Sequence, residues 1–220
     1  MKITNPAASL AFAVCLLFAY TAGADGIYVE LAPGVSIFAD SDISVFGLSG
    51  DVEFDTGFVI GGAVGYRFLD QPEGLVDQIR GELNLSYREA DIEKLTSGGL
   101  ELPGAGDVSA IALMANVYYD FDIGFPVTPY LGAGIGFAHI EIDSQRNAIL
   151  VVNDDSTEFA WNVMLGASYA ASEAIDLSLG YRYLVTTDPE FDASITGVGS
   201  QKLDAEISLH EILFGLRYNF

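Results

Sequence analysis

Three residues near the carboxyl end of the sequence have the side-chain types of a hydrolytic site. Ser208 offers a nucleophile, His210 a base and Glu206 a group that orients the base. Alternate residues of a strand stand about 6–7 Å apart, so these side chains would run along the strand instead of converging on one atom. The other histidine, His139, has no second metal ligand implied near it. We therefore predict no catalytic residue, no cofactor and no metal site.

A second set of candidate residues consists of charged side chains within otherwise apolar segments. Its members are Arg67, Arg80, Glu82, Asp120, Arg182, Glu211 and Arg217. Uncompensated charges are costly inside a narrow interior, so we expect ion pairs of Arg182 with Glu211, and of Arg80 with Glu82 or Asp120. Such a network either plugs the interior or gates a narrow path for ions.

The elements that carry these charges are strands. Apolar and polar residues alternate with a period of two in eight segments after residue 25, and none of them has sustained helical spacing. The predicted strands are 26–35, 57–69, 78–88, 109–122, 128–141, 158–170, 174–185 and 205–220. Long connections (36–56, 89–108, 142–157, 186–204) alternate with short ones (70–77, 123–127, 171–173). This alternation is typical of an all-β, antiparallel up-and-down barrel with loops on one rim and turns on the other.

The two faces of these strands differ sharply. One face is almost wholly apolar, whereas the other carries all five strand arginines, with glycines between the long side chains. An arginine facing lipid costs about 2–4 kcal/mol at the bilayer midplane, so the polar face must be the interior of a barrel that spans a membrane. A soluble, lipocalin-like barrel would reverse this arrangement. Aromatic residues near both ends of the strands predict two girdles at the membrane surfaces, which a β-sandwich would leave unexplained.

Composition and the amino-terminal segment indicate where the protein works. The 220 residues include 31 acidic and 9 basic side chains, which excludes the basic surface that nucleic acid requires. Residues 1–24 have a lysine, an apolar core and the ending Ala22-Gly23-Ala24, the pattern of a cleaved signal peptide. The mature domain is then 25–220, and it contains no cysteine because Cys15 lies in the leader.

Several stretches resemble the small eight-stranded outer-membrane barrels of bacteria, the OmpA-like and opacity-protein superfamily. These stretches are 113–121, 128–137, 179–183 and 212–220, with Pro129-Tyr130 followed by alternating glycines as the most specific. The resemblance covers essentially the whole mature chain. It implies a transmembrane β-barrel in the cell outer membrane, in contact with lipid and lipopolysaccharide, with an interior closed by charges. No soluble cell-wall-binding domain is expected after the barrel.

The last predicted strand resembles the signal by which the outer-membrane assembly machinery recognises its clients. Its outward positions are Phe214, Leu216, Tyr218 and Phe220.

One feature departs from the pattern at the other end of the chain. Pro33 and Gly34 lie inside the first strand, where a proline removes a ladder donor, so a bulge or an early end of that strand is expected.

The long loops hold much of the acidic excess. Their acids are Asp40, Asp42, Asp51, Glu53, Asp55, Glu89, Asp91, Glu93, Glu101, Asp107, Asp143, Asp154, Asp155, Asp188, Glu190 and Asp192. They form a solvated surface, or they bind divalent cations shared with lipopolysaccharide phosphates, or they meet a basic surface ligand. The favoured function is therefore structural or interactive, through adhesion or recognition by four acidic loops. The alternative is a narrow, porin-like ion channel gated by the inward Arg and Glu pairs.

Overall fold

The structure, a computed structural model, describes most of the predicted barrel and parts of its connections. The described residues are 26–38, 41–45, 48–54, 56–68, 78–97, 100–103, 107–143, 150–151, 153–187, 190–195, 199–204 and 207–220. The predicted signal peptide, residues 1–24, lies outside these ranges, as do the predicted turn 70–77 and parts of all four predicted long loops.

The described residues form fourteen β-strands. In chain order these are β1 (Ile27–Phe38), β2 (Ser41–Val45), β3 (Leu48–Phe54), β4 (Gly57–Arg67), β5 (Ile79–Ser97), β6 (Leu100–Pro103), β7 (Asp107–Asp120), β8 (Val127–Asp143), β9 (Leu150–Val151), β10 (Asn153–Ala170), β11 (Ile175–Thr186), β12 (Glu190–Ile195), β13 (Gly199–Asp204) and β14 (Ile207–Asn219). Across the described residues, no helix has the length and apolar character needed to cross a membrane.

Eight long strands close into an antiparallel barrel. Going round the ring, the order is β1, β4, β5, β7, β8, β10, β11 and β14, and β14 pairs with β1 to complete it. Each barrel strand is therefore hydrogen-bonded to its neighbours along the chain. The eight-stranded up-and-down barrel predicted from the sequence is confirmed.

A tight turn joins β7 to β8 at one rim. The side chain of Asp122 accepts a hydrogen bond of 2.9 Å from the backbone N–H of Gly124. Gly124 has a φ of 72°, a left-handed conformation that glycine adopts without steric cost. The turn between β10 and β11, residues 171–174, lies at the same rim. We refer to this as the turn rim and to the opposite end of the barrel as the loop rim.

The strands extend further toward the loop rim than the sequence predicts. β5 continues to Ser97, β10 begins at Asn153, and the short strands β2, β3, β6, β9, β12 and β13 lie within the segments predicted to be loops. The boundaries 78–88 and 158–170 and the loops 89–108 and 142–157 were therefore wrong. Beyond the membrane-spanning part no face needs to be apolar, so these extensions lack the alternation that marks a strand in sequence.

Pro33 does not interrupt the first strand. The ladder with β14 keeps one register on both sides, with Leu31 opposite Leu216 and Gly34 opposite Leu213. Pairing with β4 is continuous across the proline, whereas the β14 ladder has no paired residues at Pro33 and the residue before it. The position without an N–H thus coincides with a gap in one ladder. The expected bulge or early strand end was wrong.

The two faces of the barrel have opposite character. The outward face exposes large apolar side chains, among them Leu83, Leu113, Leu131, Ile135, Leu165, Leu179 and Phe214, each more than half exposed. The inward face buries Arg80, Arg88, Arg182 and Arg217. Aromatic pairs occur at both ends of the strands, such as Tyr218 with Phe220 at the turn rim and Trp161 with Tyr183 toward the loop rim. The predicted assignment of faces and the two aromatic girdles are confirmed.

Replacing Leu179 by arginine should destabilise the inserted barrel. This side chain is 53% exposed on the outward face in the middle of β11, so the substitution should cost about 2–4 kcal/mol of unfolding free energy in a bilayer. Urea titration in lipid vesicles, read by the gel mobility of the folded barrel, measures that loss. Ala171→Arg, in the exposed turn before β11, adds the same charge outside the hydrocarbon region. Equal stability of the two variants would contradict the assignment of faces.

Candidate functional site

The interior of the barrel is filled by two clusters of polar side chains and one apolar layer. The turn-side cluster lies toward the turn rim and consists of Tyr28, Glu30, Arg67, Arg80, Glu82, Tyr118, Asp120, Tyr130, Asp176 and Arg217. The central triad consists of Arg88, Arg182 and Glu211. The apolar layer consists of Ala90, Val108, Ala110, Ala112, Met114, Ala138, Ile140, Ala160, Leu184 and Leu209.

Arg80 on β5 is the hub of the turn-side cluster. Its Nε lies 3.1 Å from both carboxylate oxygens of Asp120, and its Nη1 lies 3.5 Å from Oε2 of Glu82. The same Nη1 donates a 3.1 Å hydrogen bond to the hydroxyl of Tyr28. The guanidinium also stacks 3.6 Å from the ring centroid of Tyr118, a distance that gives a favourable cation–π contact. Arg80 is thus neutralised by two carboxylates and enclosed by aromatic rings.

Glu82 on β5 is held in place by donors from two other strands. Its Oε2 accepts a 3.1 Å hydrogen bond from Tyr28, and its Oε1 accepts hydrogen bonds from Tyr118 at 3.1 Å and from Asn116 at 3.4 Å. Because Tyr28 lies on β1 and the other two donors lie on β7, this one carboxylate links β5 to its neighbour β7 and, past β4, to β1. A buried carboxylate with this number of donors is well compensated for its loss of hydration.

Arg217 on β14 forms the second ion-pair centre of the turn-side cluster. Its Nε and Nη2 each lie 2.8 Å from Oε2 of Glu30, and its Nη1 lies 3.7 Å from Oδ2 of Asp176. Asp176 also lies 3.5 Å from Nη2 of Arg67 at the turn rim. β1, β4, β11 and β14 are therefore joined by charge on the side of the barrel where the first and last strands meet.

Inward glycines create the space that the tyrosines of this cluster occupy. A Cβ added at Gly65 would lie 2.1 Å from Cζ of Tyr28, and a Cβ added at Gly132 would lie 2.5 Å from Cδ1 of Tyr118. Real Cβ atoms do not approach other heavy atoms so closely, so a side chain at either position would displace the ring. The alternation of glycine and long polar residues on the inward face therefore has a direct steric reason.

The central triad is fully buried in the interior. Nε of Arg88 lies 2.9 Å from Oε1 of Glu211, and Nε of Arg182 contacts the other carboxylate oxygen. Arg88 also donates a 2.9 Å hydrogen bond to Ser86, and Arg182 donates one of 3.4 Å to Asn84. The triad joins β5, β11 and β14 across the interior, and each of its three residues is at most 2% exposed.

The apolar layer surrounds the level of the triad, from Met114, opposite Asn84, to Val108, opposite Ala90. Alanines and larger aliphatic residues from β5, β7, β8, β10, β11 and β14 contribute to it. Between this layer and the triad lies a cavity of about 10 Å³. Small and large apolar side chains thus fill the part of the interior that the charges do not.

The structure brings together the pairs expected from the sequence. Arg182 forms an ion pair with Glu211, and Arg80 pairs with both Glu82 and Asp120 instead of only one of them. Within the described barrel, ion pairs link five arginines to five acids. The charges therefore satisfy one another inside the wall.

Sequence reasoning missed several members of these clusters. Arg88, Glu30 and Asp176 were absent from the predicted network, although all three lie on the inward face. The period-two pattern places them inside, and that signal could have added them to the set. The pattern could not predict which residues they contact. Arg88 and Glu211, for example, belong to strands that are separated round the ring by β1 and β4.

The candidate hydrolytic residues do not form a site in the part of the chain that the structure describes. Glu206 lies outside the described residues. Nδ1 of His210 lies 2.6 Å from the hydroxyl of Tyr181 on the outward face. His139 contacts Thr157 at 2.9 Å and Glu141 at 3.5 Å. Among the described residues, no group of three or more His, Cys, Asp or Glu side chains is placed to hold a metal ion.

Acidic side chains form a band on the outward face near the loop rim. We call Glu89, Asp91, Asp107, Glu141 and Asp155 the acidic rim. On neighbouring strands Asp91 is directly opposite Asp107, and Glu141 is directly opposite Asp155. Like charges in directly opposite positions destabilise a sheet. The side chains of the other acids in the predicted loops lie outside the described residues, apart from those named here.

The outward residues of the last strand form a continuous apolar row. Phe214, Leu216, Tyr218 and Phe220 are all exposed, and the rings of Tyr218 and Phe220 lie 5.0 Å apart in a T-shaped contact. The backbone N–H of Phe220 donates a 3.0 Å hydrogen bond to the carbonyl of Ile27. This row therefore borders the seam where the barrel closes. Its role in assembly stays a prediction.

Comparison with known proteins identifies relatives of this architecture. The family model described as "Outer membrane protein beta-barrel domain" matches residues 7–220. The outer membrane protein PagN of Salmonella typhimurium is 31% identical over 210 residues, which cover 79% of this chain and 82% of PagN. An uncharacterised protein of Brucella abortus is 30% identical over 213 residues, covering 80% of this chain and 70% of that protein.

Two solved structures share the fold. OprG, an outer membrane protein from Pseudomonas aeruginosa, has a TM-score of 0.63 at 17% identity and covers 89% of this chain and 97% of OprG. Neisserial surface protein A has a TM-score of 0.58 at 22% identity and covers 90% of this chain and 99% of that chain. At these identities the likeness concerns the fold alone.

Gly65→Ala should destabilise the barrel through the turn-side cluster. The added Cβ displaces the ring of Tyr28 and so disturbs its hydrogen bonds with Arg80 and Glu82, at a cost of about 1–3 kcal/mol of unfolding free energy. Urea titration in lipid vesicles measures this. Gly81→Ala is the matched control, because a Cβ there meets only the ring of Phe68, at 3.7 Å. The same loss in both variants would show that the effect comes from strand glycines in general.

Proposed function

The chain belongs to the outer membrane protein beta-barrel family, and on that premise we propose that it is a surface-interaction protein whose binding surface is the acidic rim. The protein is an integral barrel of the bacterial outer membrane, with its apolar face toward lipid. The proposed role is adhesion or recognition, and the proposed ligand is a basic surface on a molecule outside the cell.

The observation that carries this proposal is the placement of the acids on the barrel wall. Glu89 and Glu141 both lie opposite Ser109 in register, from the two sides of β7, so carboxylates approach this position from β5 and β8. Asp155 continues the row onto β10. An arrangement that brings like charges together lowers the stability of the barrel. A basic partner would relieve that repulsion and be drawn to the rim by it.

The interior supports an interaction role over the channel alternative. Each arginine of the described ion pairs contacts an acid, with Arg88 and Arg182 sharing Glu211, and the apolar layer fills the interior around and beyond the triad. An ion crossing the interior would have to separate the triad, and breaking a buried ion pair costs several kcal/mol. An eight-stranded barrel is also only wide enough for side chains to fill. The functional surface is therefore assigned to the outside.

Neutralising the acidic rim should weaken binding of a basic ligand. The double variant Glu89→Gln and Glu141→Gln removes two charges with little change in shape, and should raise the Kd for a labelled oligolysine peptide by about 2- to 10-fold. Fluorescence anisotropy with the barrel in zwitterionic lipid nanodiscs measures the Kd, and added salt should reduce the difference. Both rims are accessible in a nanodisc.

The matched control changes the same number of charges at the turn rim. Asp122→Asn keeps an oxygen for the Gly124 turn, and Glu173→Gln alters an exposed residue of the turn 171–174. This control should bind the peptide as the unmodified protein does. The proposal is contradicted if both double variants bind equally, since the attraction would then come from total charge. Release of the peptide by calcium alone, at constant ionic strength, would identify divalent cations shared with lipopolysaccharide as the occupant of the rim.

Assembly into the outer membrane is proposed to use the apolar row of the last strand. Phe220→Ala removes the exposed ring that packs on Tyr218, and should lower the amount of folded barrel in outer-membrane fractions severalfold through loss of recognition by the assembly machinery. Refolding of the same variant in lipid vesicles should stay close to normal, which separates recognition from stability. Normal outer-membrane levels in cells would overturn the recognition role.

A further inference from the structure

An apolar patch lies at the tip of the turn between β7 and β8. Phe125 is 72% exposed, the largest exposed fraction among the large apolar side chains that the structure describes, and Ile123 is 52% exposed. The other turn described at this rim, residues 171–174, consists of two alanines, a serine and a glutamate. Of these two turns, only the first carries large apolar side chains at its tip, and a patch of this kind marks an interaction surface.

The conformation of this turn holds the two side chains at its tip. We call residues 121–127 the apolar turn. Its only charged residue is Asp122, whose side chain accepts the 2.9 Å hydrogen bond from the backbone N–H of Gly124. Pro126 restricts the backbone on the other side of the tip. Ile123 and Phe125 are therefore presented by an ordered turn in which the one carboxylate is already bonded.

The apolar turn is continuous with the lipid-facing surface on both sides. On β7, the rings of Tyr119 and Phe121 form a T-shaped contact with centroids 4.8 Å apart, as part of the aromatic girdle. On β8, the exposed side chain of Val127 lies opposite Tyr169 of β10, which is also exposed. The lipid that covers the ends of these strands is therefore the nearest apolar cover for the tip.

The distance of the tip from the girdle fits the headgroup region of a bilayer. Ile123 lies two residues beyond Phe121, and Phe125 lies two residues before Val127, so each is at most about 7 Å of extended chain from a strand residue of the lipid-facing surface. The polar region on each side of a bilayer is about 5–7 Å thick. Strand tilt shortens the rise along the membrane normal. Both side chains therefore reach the interfacial region, where aromatic and aliphatic groups are stabilised.

We propose that the apolar turn inserts into the headgroup region of the periplasmic leaflet, where phospholipid covers Ile123 and Phe125. Short turns of outer-membrane barrels face the periplasm. This inference goes beyond the proposed function and is independent of the acidic rim, which lies at the opposite end of the barrel. Insertion anchors β7 and β8 at a fixed depth. A zwitterionic phospholipid is sufficient, because the turn offers no free charge for a charged headgroup.

Quenching of a tryptophan placed at the tip tests the insertion. Trp161 is the only tryptophan of the chain, and Trp161→Phe keeps a ring beside Tyr183. In that background, Phe125→Trp places a fluorophore in the apolar turn. In phosphatidylcholine nanodiscs, lipid brominated near the headgroup end of its acyl chains should quench the emission severalfold more than lipid brominated near the methyl end. Aqueous iodide should quench it only weakly.

The matched control is Glu173→Trp in the same background, because Glu173 is exposed in the other described turn of the same rim. Iodide should quench this variant severalfold more than Phe125→Trp, and brominated lipid should quench it less. Equal quenching of the two variants by iodide would overturn the proposal. Shielding of Phe125→Trp from iodide without quenching by either brominated lipid would indicate a protein cover, such as a second copy of this chain, and would also overturn it.

Removal of the apolar side chains gives an independent measurement. Ile123→Ser combined with Phe125→Ser should raise the unfolding equilibrium constant in a bilayer by about 10- to 100-fold, because two large side chains lose their apolar cover. Urea titration in phosphatidylcholine vesicles, read by the gel mobility of the folded barrel, measures this constant. The control, Ile123→Leu combined with Phe125→Leu, keeps an apolar tip and should stay within about 3-fold of the unmodified protein. An unchanged constant in the serine variant, as for side chains in water, would overturn the proposal.

Discussion

The structure depends on closure of the strand ring within hydrocarbon, where an unpaired backbone group has no water to bind. β14 and β1 complete the ring, with Tyr28 opposite Asn219 and Phe38 opposite Leu209. The N–H of Phe220 extends this seam by donating to Ile27. Once the ring is closed, each residue has one of two environments, because successive side chains of a strand point to opposite faces. One face meets lipid and the other meets a narrow interior, and these two environments account for the alternation of the whole sequence.

The narrow interior restricts which residue types can occupy the inward positions. There is room for few waters, so each charge must find its partner on another strand, and each large ring must face a glycine. Arg80 meets both demands at once, between Asp120, Glu82 and the ring of Tyr118. The ion pairs and tyrosines then act as cross-links between strands that do not adjoin in the sheet. Backbone closure makes the barrel, and these side chains fix its cross-section.

The alternation of apolar and polar residues predicted the barrel strands and their two faces, but few of the contacts across the interior. The eight barrel strands, their faces and the contact of Arg182 with Glu211 followed, because β11 and β14 are neighbours and these residues are opposite in register. The contact of Arg88 with the same carboxylate crosses the interior between distant strands, and no local pattern encodes such a distance. The strands beyond the membrane lacked the apolar face that marks a strand. Pro33 was expected to cause a bulge or an early strand end, but the pairs on both sides of it keep one register.

Charges are arranged differently inside and outside the barrel, and the proposed function rests on this contrast. Among the described residues of the interior, five arginines and five acids are joined in ion pairs, so removing one partner would leave a costly uncompensated charge. At the loop rim, Asp91 faces Asp107 and Glu141 faces Asp155 on adjacent strands. Within the wall, Glu141 also lies 3.5 Å from His139, and Glu89 accepts a hydrogen bond from Tyr87, so these two acids are partly compensated by the barrel itself. A basic partner would offset the repulsion that remains between opposite carboxylates, and this is the physical basis of the proposed interaction.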